Sequence, residues 1–188
     1  LGLSVRVSYT HLLFDHDGVL VNTEPLYLQA IQEQLATLGI TLRETDYIQN
    51  MAVGADPWAL VRAAGCDEAM VDQLRDARDA RYQELLRTRP ITIEGVDGLI
   101  AELAEHFQLA IVTTSRDVDF DLIHALDGQP RTSTTPDVVR HMDFILKRSC
   151  YQNSKPDPQP YLLALSRFGI EPSHCLLYTS PSPRDNSG

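Results

Sequence analysis

A chain of 188 residues with 43% hydrophobic content can bury a sizeable core in one domain, or in one domain with a modest insertion. A formal net charge of −10, from 16 basic and 26 acidic residues with no basic stripe, excludes an ordinary nucleic-acid surface. Cys66, Cys150 and Cys175 are widely spaced and odd in number, which fits free thiols in a reducing, cytoplasmic setting and excludes a disulfide framework or a zinc site.

In chain order, Leu1 to Thr10 lacks the apolar region of a signal peptide, and no later run is long and apolar enough to span a membrane. The start on Leu1 suggests a sequence that begins inside a longer reading frame. Tyr9 to Phe14 reads as a first strand. Glu24 to Leu38 reads as a helix, with Thr23 to cap it, Pro25 in its first turn and Gly39 to end it. Leu26, Ala30, Ile31, Leu35 and Leu38 share one face of it. Further helices are predicted over Pro57 to Ala64 and Asp67 to Arg87, the second with Met70, Val71, Leu74, Ala77 and Leu85 on a stripe.

Leu99 to Phe107 is amphipathic, and Leu109 to Val112 has the uninterrupted apolar character of a buried parallel strand. Asp119 to Leu126 reads as helix, Asp127 to Val138 as loop, Phe144 to Leu146 as strand, and Pro160 to Phe168 as a helix stopped by Gly169. Cys175 to Tyr178 would begin the next strand. This alternation predicts an α/β fold with a parallel sheet, interrupted after its first strand by a helical block from about Pro25 to Glu94. That block would sit over the C-terminal end of the first strand, the edge at which open α/β sheets bind ligands.

The chemistry concentrates at that edge. Leu12-Leu13-Phe14 runs into Asp15-His16-Asp17-Gly18, so a buried strand delivers two carboxylates two residues apart, with a glycine to turn the backbone beside them. Close carboxylates repel and raise one another's pKa, an objection that a hard, oxygen-seeking cation such as Mg²⁺ removes. Asp-x-Asp-Gly alone also occurs in surface turns and calcium loops, but no ladder of further oxygen ligands or closing glutamate follows here. Thr113-Thr114-Ser115 ends a second apolar strand with hydroxyls and amides suited to a phosphate oxygen. Lys155, between Ser154 and Pro156-Asp157-Pro158, can hold a negative oxygen as a point charge.

Leu12 to Glu24, Thr113 and Lys155-Pro156-Asp157-Pro158 together resemble, in order, the first three motifs of the haloacid dehalogenase-like superfamily. The similarity is to the branch of phosphatases and β-phosphoglucomutase-like enzymes with a helical cap. His16 and Asn22 depart from the commoner residues of the first motif without removing a catalytic group. The resemblance implies a three-layer Rossmann-like core, formed by residues 1–22 and 95–174, with a cap over 23–94. It makes Asp15 the nucleophile and a metal ligand. Asp17 becomes the general acid/base and a metal ligand, its backbone carbonyl facing the metal. Thr113, helped by the Thr114 backbone, binds phosphate, and Lys155 steadies the nucleophile and binds the transferring phosphate. It implies Mg²⁺ as cofactor, a small phosphorylated metabolite as substrate, and no nucleic-acid or membrane partner.

The fourth motif of the family, an acidic pair or a Gly-Asp with a later Asp after the strand at Cys175, is missing. The chain reads Cys175-Leu176-Leu177-Tyr178-Thr179-Ser180-Pro181, and Asp185 comes too late. Residues 175–188 back-translate to a transposase adapter of sequencing libraries, so this tail is expected to be read-through. The chain as given is then expected to bind Mg²⁺ poorly and to lack part of its sheet. Asp17 argues against a dehalogenase. The stretch Val53-Gly54-Ala55-Asp56-Pro57 lacks the arginine that a sugar phosphomutase often carries there, although Arg62 is nearby, and this favours a phosphatase over a β-phosphoglucomutase-like enzyme. A non-catalytic phosphate-binding protein is the remaining alternative. Arg116 fits either a place beside the site or a surface turn. Neither substrate nor oligomeric state can be read.

Overall fold

The computed structural model describes residues 8–52, 56–128 and 136–179. Its centre is a parallel sheet of β1 (His11–Phe14), β2 (Gln108–Val112), β3 (Phe144–Leu146) and β4 (Cys175–Tyr178), in the order β3-β2-β1-β4. Phe14 lies opposite Ile111 on one side and Tyr178 on the other. The strand that carries the two carboxylates is therefore an inner one.

Alternate side chains of β1 and β2 enter different cores, as a pleated strand requires. Leu12, Phe14, Leu109 and Ile111 pack with Ile100 of α5 (Val96–Ala104) and Phe120 of α6 (Asp117–Ile123). Leu13, Ala110 and Val112 face the other way, onto Ala164, Tyr161 and Phe168 of α7 (Gln159–Phe168). Helices thus cover both faces, which explains why β2 reads as unbroken apolar sequence rather than alternation. Burying each of these leucines contributes about 1.5–3 kcal/mol. The fold is the three-layer α/β arrangement expected. Gly169, at φ 71°, stops α7 in the left-handed conformation that glycine adopts without strain.

Between β1 and α5 lie α1 (Glu24–Ala36), α2 (Glu44–Ala52), α3 (Ala59–Ala63) and α4 (Glu68–Thr88). Leu28, Ile31, Leu35, Tyr47, Trp58, Val61, Val71 and Leu74 give this segment a core of its own. A second cluster, with Ala30, Tyr82, Leu85 and Leu86 against Leu122 and Ile123 of α6, joins it to the sheet layer. The chain leaves and re-enters the sheet layer at one place: the Asn22 amide donates to the Ile91 carbonyl at 2.8 Å, and Val21 bridges Thr92.

Two local expectations differ from what forms. Thr23 occupies the N-cap of α1 but makes no side-chain cap bond, because its backbone is helical (φ −101°, ψ −19°) rather than extended. Asp67 does cap α4, accepting from the Met70 amide at 2.9 Å. Helix α2 had no predicted counterpart: among its residues with described side chains Tyr47 alone is buried, which leaves no stripe to detect. Val53 to Ala55, most of the Asp127 to Val138 loop, and residues 180–188 with Asp185 lie outside the described residues. Among the described residues no helix is long and apolar enough to cross a membrane.

Candidate active site

Asp15 is the first residue beyond β1, and it is held there by the edge strand: its amide donates to the Tyr178 carbonyl at 2.8 Å, while Tyr178 stacks on Phe14. Asp15 is 1% exposed. Its Oδ1 accepts from the His16 amide at 2.8 Å and from Lys155 Nζ at 2.7 Å. Its Oδ2 is buried and has no hydrogen-bond partner among the described residues. Lys155 comes from 140 residues away, is 3% exposed, and also donates to the Val112 carbonyl at 3.0 Å. Stability alone does not call for this pair, since buried ion pairs roughly break even against apolar residues of similar volume.

Asp17 is bound differently. Thr23 Oγ1 donates to Oδ1 and Ser115 Oγ donates to Oδ2, so hydroxyls from α1's N-terminus and from beyond β2 grip both oxygens. Gly18 follows with φ 74° and turns the chain back, its amide donating to the Val21 carbonyl at 2.8 Å. The Thr23 hydroxyl, expected to serve the helix backbone, serves this carboxylate instead.

Thr113 is fully buried at the end of β2, where its amide still bonds the Leu146 carbonyl of β3 at 3.0 Å. Its Oγ1 accepts from the Ser115 amide at 3.0 Å, and its carbonyl accepts from the Tyr151 hydroxyl at 2.6 Å. Burial pushes the Tyr151 phenol well above its ordinary range, so it stays a donor. Thr114 is half-buried, and its amide donates to no partner among the described residues. Asp15, Asp17, Thr113 and Lys155 thus converge on one sheet edge, with Ser115 and Thr23 as ties the sequence reading missed. Ser115 had a signal, a second hydroxyl two residues beyond Thr113 on the same strand end.

A cavity of 710 Å³ opens over the lysine loop, lined by Arg148, Ser154, Lys155 and Asp157 among others. Neither aspartate lines it, so it is the outer face of that loop rather than the place where the carboxylates meet a ligand. Arg116 turns away from both: it forms a fork with Asp119 at 2.9 and 3.1 Å and reaches Asp79 on α4. Burial opposes its charge, but these carboxylates outweigh that and raise its pKa. Its role is to tie α4 to α6. Arg62 bonds Asp56 and Glu68 on the surface of the helical segment.

The donor set suits a hard cation. When both acids are ionised, Lys155 pairs with Asp15 through Oδ1 alone, and the unmatched Asp15 Oδ2 is an anionic oxygen of the kind Mg²⁺ takes. No group of three or more His, Cys, Asp or Glu gathers for a metal among the described residues. Mg²⁺ tolerates this, because it keeps several waters and binds through one or two carboxylates plus substrate phosphate.

Residues 12–185 match the family described as haloacid dehalogenase-like hydrolase, and the chain belongs to that family. It is 28% identical over 177 residues to N-acetylmuramic acid 6-phosphate phosphatase of Pseudomonas aeruginosa, covering 91% of this chain and 73% of that protein. It is likewise 28% identical over 176 residues to protein CbbY of Rhodobacter capsulatus, covering 89% and 75%. Among solved structures, CbbY of Rhodobacter sphaeroides, crystallised with xylulose-1,5-bisphosphate, superposes with a TM-score of 0.63 at 23% identity, over 90% of this chain and 76% of that one. β-Phosphoglucomutase of Clostridium difficile gives 0.63 at 16% identity, over 90% and 75%. The resemblance read from the three motifs is borne out at the level of family and fold.

Proposed function

We propose that the chain is a Mg²⁺-dependent phosphatase that hydrolyses the phosphate monoester of a small metabolite through an aspartyl phosphate on Asp15. The observation that carries this reading is the unequal treatment of the two acids. Asp15 has one oxygen fixed by Lys155 and the other without a partner, as a nucleophile requires, whereas Asp17 is gripped on both oxygens by hydroxyls. The names of curated relatives, phosphatases of sugar phosphates among them, agree with it.

Asp15 attacks phosphorus and forms an O–P bond as the ester P–O bond breaks. Asp17 gives its proton to the departing alkoxide. It then takes a proton from the water that attacks the phosphoryl group, which releases inorganic phosphate and restores the Asp15 carboxylate. Lys155, with the Thr113 hydroxyl and the Thr114 amide, binds the equatorial oxygens and offsets their charge. A Mg²⁺ ion held by Asp15 and the Asp17 main-chain carbonyl would supply further positive charge against the developing negative charge. Residues 23–94 act as the cap that excludes water and selects the substrate, and residues 1–22 and 95–174 act as the core.

Phosphate release from p-nitrophenyl phosphate, without Mg²⁺ and with Mg²⁺ raised far enough to load a weak site, tests the reading. Turnover that needs both Mg²⁺ and Asp15 is expected, with Asp15→Asn lowering it by about 10⁴-fold or more. Release that survives Asp15→Asn overturns the assignment.

A further inference from the structure

A buried histidine pair adjoins Asp17 and has no part in the steps above. His16 lies between the two aspartates in sequence and is fully buried; His124, at the end of α6, is 6% exposed. Their Nε2 atoms are 2.8 Å apart. Both rings rest on Phe120, with centroids 4.8 and 4.6 Å away, so neither can swing freely. The other nitrogen of His16, Nδ1, is buried, makes no hydrogen bond among the described residues, and stands 3.5 Å from Asp17 Oδ2 in an ion-pair contact.

Two ring nitrogens at hydrogen-bond distance share one hydrogen, which leaves two neutral arrangements. If His16 donates from Nε2, its Nδ1 presents a lone pair to the Asp17 carboxylate. If His124 donates from Nε2, the His16 hydrogen sits on Nδ1, the ring nitrogen 3.5 Å from Asp17 Oδ2. The first sets lone pair against anionic oxygen; the second sets an N–H dipole toward it. When Asp17 is ionised, as it is after the first proton transfer, that difference selects the second in a buried, poorly screened site.

We propose that His124 and His16 form a positioning pair for Asp17: His124 Nε2–H fixes the His16 tautomer, and His16 Nδ1–H steadies Asp17 Oδ2. Its catalytic meaning rests on the role proposed for Asp17, while the tautomer itself does not. The hydroxyls of Thr23 and Ser115 can rotate and change from donor to acceptor, but the Nδ1–H of a pinned imidazole remains a donor. The pair therefore gives the carboxylate a fixed direction that the two hydroxyls do not. Outer partners that orient a functional group in this way are commonly worth about 10- to 100-fold in activity.

Long-range ¹H–¹⁵N correlation spectra of the histidine-labelled chain, at about pH 7.5 without substrate or metal, read the tautomers directly. His16 is expected to be protonated on Nδ1 and bare on Nε2, and His124 to be protonated on Nε2. Asp17→Ala should shift His16 toward the Nε2–H form. His124→Gln, whose amide can still donate, should keep the Nδ1–H form, and His124→Phe should lose it. An Nε2–H or doubly protonated His16 in the unaltered chain overturns the proposal, as does an Nδ1–H form that Asp17→Ala leaves unchanged. The unaltered chain decides even where a variant does not fold. Because the resting protein is read, a negative result leaves the phosphatase reading intact, and a chain that releases no phosphate still reports its tautomer.

Discussion

The sheet edge and the helical segment above it use the same pairs of charges to opposite ends. At the edge, Lys155 and Asp15 meet with side chains 3% and 1% exposed. On the helices, Arg62 bonds Asp56 and Glu68 with the three side chains 36%, 41% and 64% exposed, and Arg81 pairs with Glu33 at 30% and 38%. Water and salt screen the second kind almost completely, so it shapes a soluble surface and adds little stability. The first kind is costly to desolvate, and stability alone does not account for it. Charge content therefore says nothing of function in this chain until burial is known.

The contrast predicts a graded set of losses. Lys155→Ala leaves the Asp15 carboxylate buried without its partner and should cost about 3–5 kcal/mol in chemical denaturation. The pair Asp15→Leu with Lys155→Met should recover most of that; failure to recover would mean that Lys155 matters by packing rather than by charge. Thr23→Val removes one donor from Asp17 at nearly constant shape and should cost about 1 kcal/mol. It should lower kcat more than KM, whereas the absence of any kinetic effect would return Thr23 to a helix-terminus role.

The smaller losses lie on the helices. Glu33 is held below its ordinary value of 4.5 by its hydrogen bond to Arg81, against a burial that raises it. A lowered carboxylate stabilises the fold above the unfolded value and loses that contribution as pH falls through the folded one. Glu33→Gln should thus cost about 0.3 kcal/mol at neutral pH, discounted for exposure, and nothing well below pH 4.5, as thermal melts at the two pH values would report. Arg62→Ala should leave Tm unchanged within error, and a clear fall in Tm would make its surface network structural.

Much of the site could be read in the sequence because its chemical residues are local signals. Asp15, Asp17 and Lys155 each follow a strand or precede a helix, in a fixed order along the chain. The ties among them could not be read. Ser115 reaches Asp17 across 98 residues and His124 reaches His16 across 108, and no periodicity encodes such contacts. Thr23 misled for another reason: a hydroxyl before a helix has two partners within reach, the first-turn N–H groups from which it can accept and the carboxylate to which it donates, and local pattern names only the first. The parallel sheet was legible for the opposite reason, since unbroken apolar strands alternating with helices admit few arrangements, while the strand order β3-β2-β1-β4 was not read.

The pairing of Asn22 with Ile91 places the two ends of the helical segment within about 5 Å of one another, the usual spacing of antiparallel neighbours. A short turn could join them without moving any strand. The sheet is thus tied to that segment at few points, chiefly Thr23 and the faces of α1 and α4 on α6, and changes away from those points can be accepted without disturbing Asp15. If that segment selects the substrate as proposed, selectivity can drift over time while Asp15 and Asp17 stay where they are.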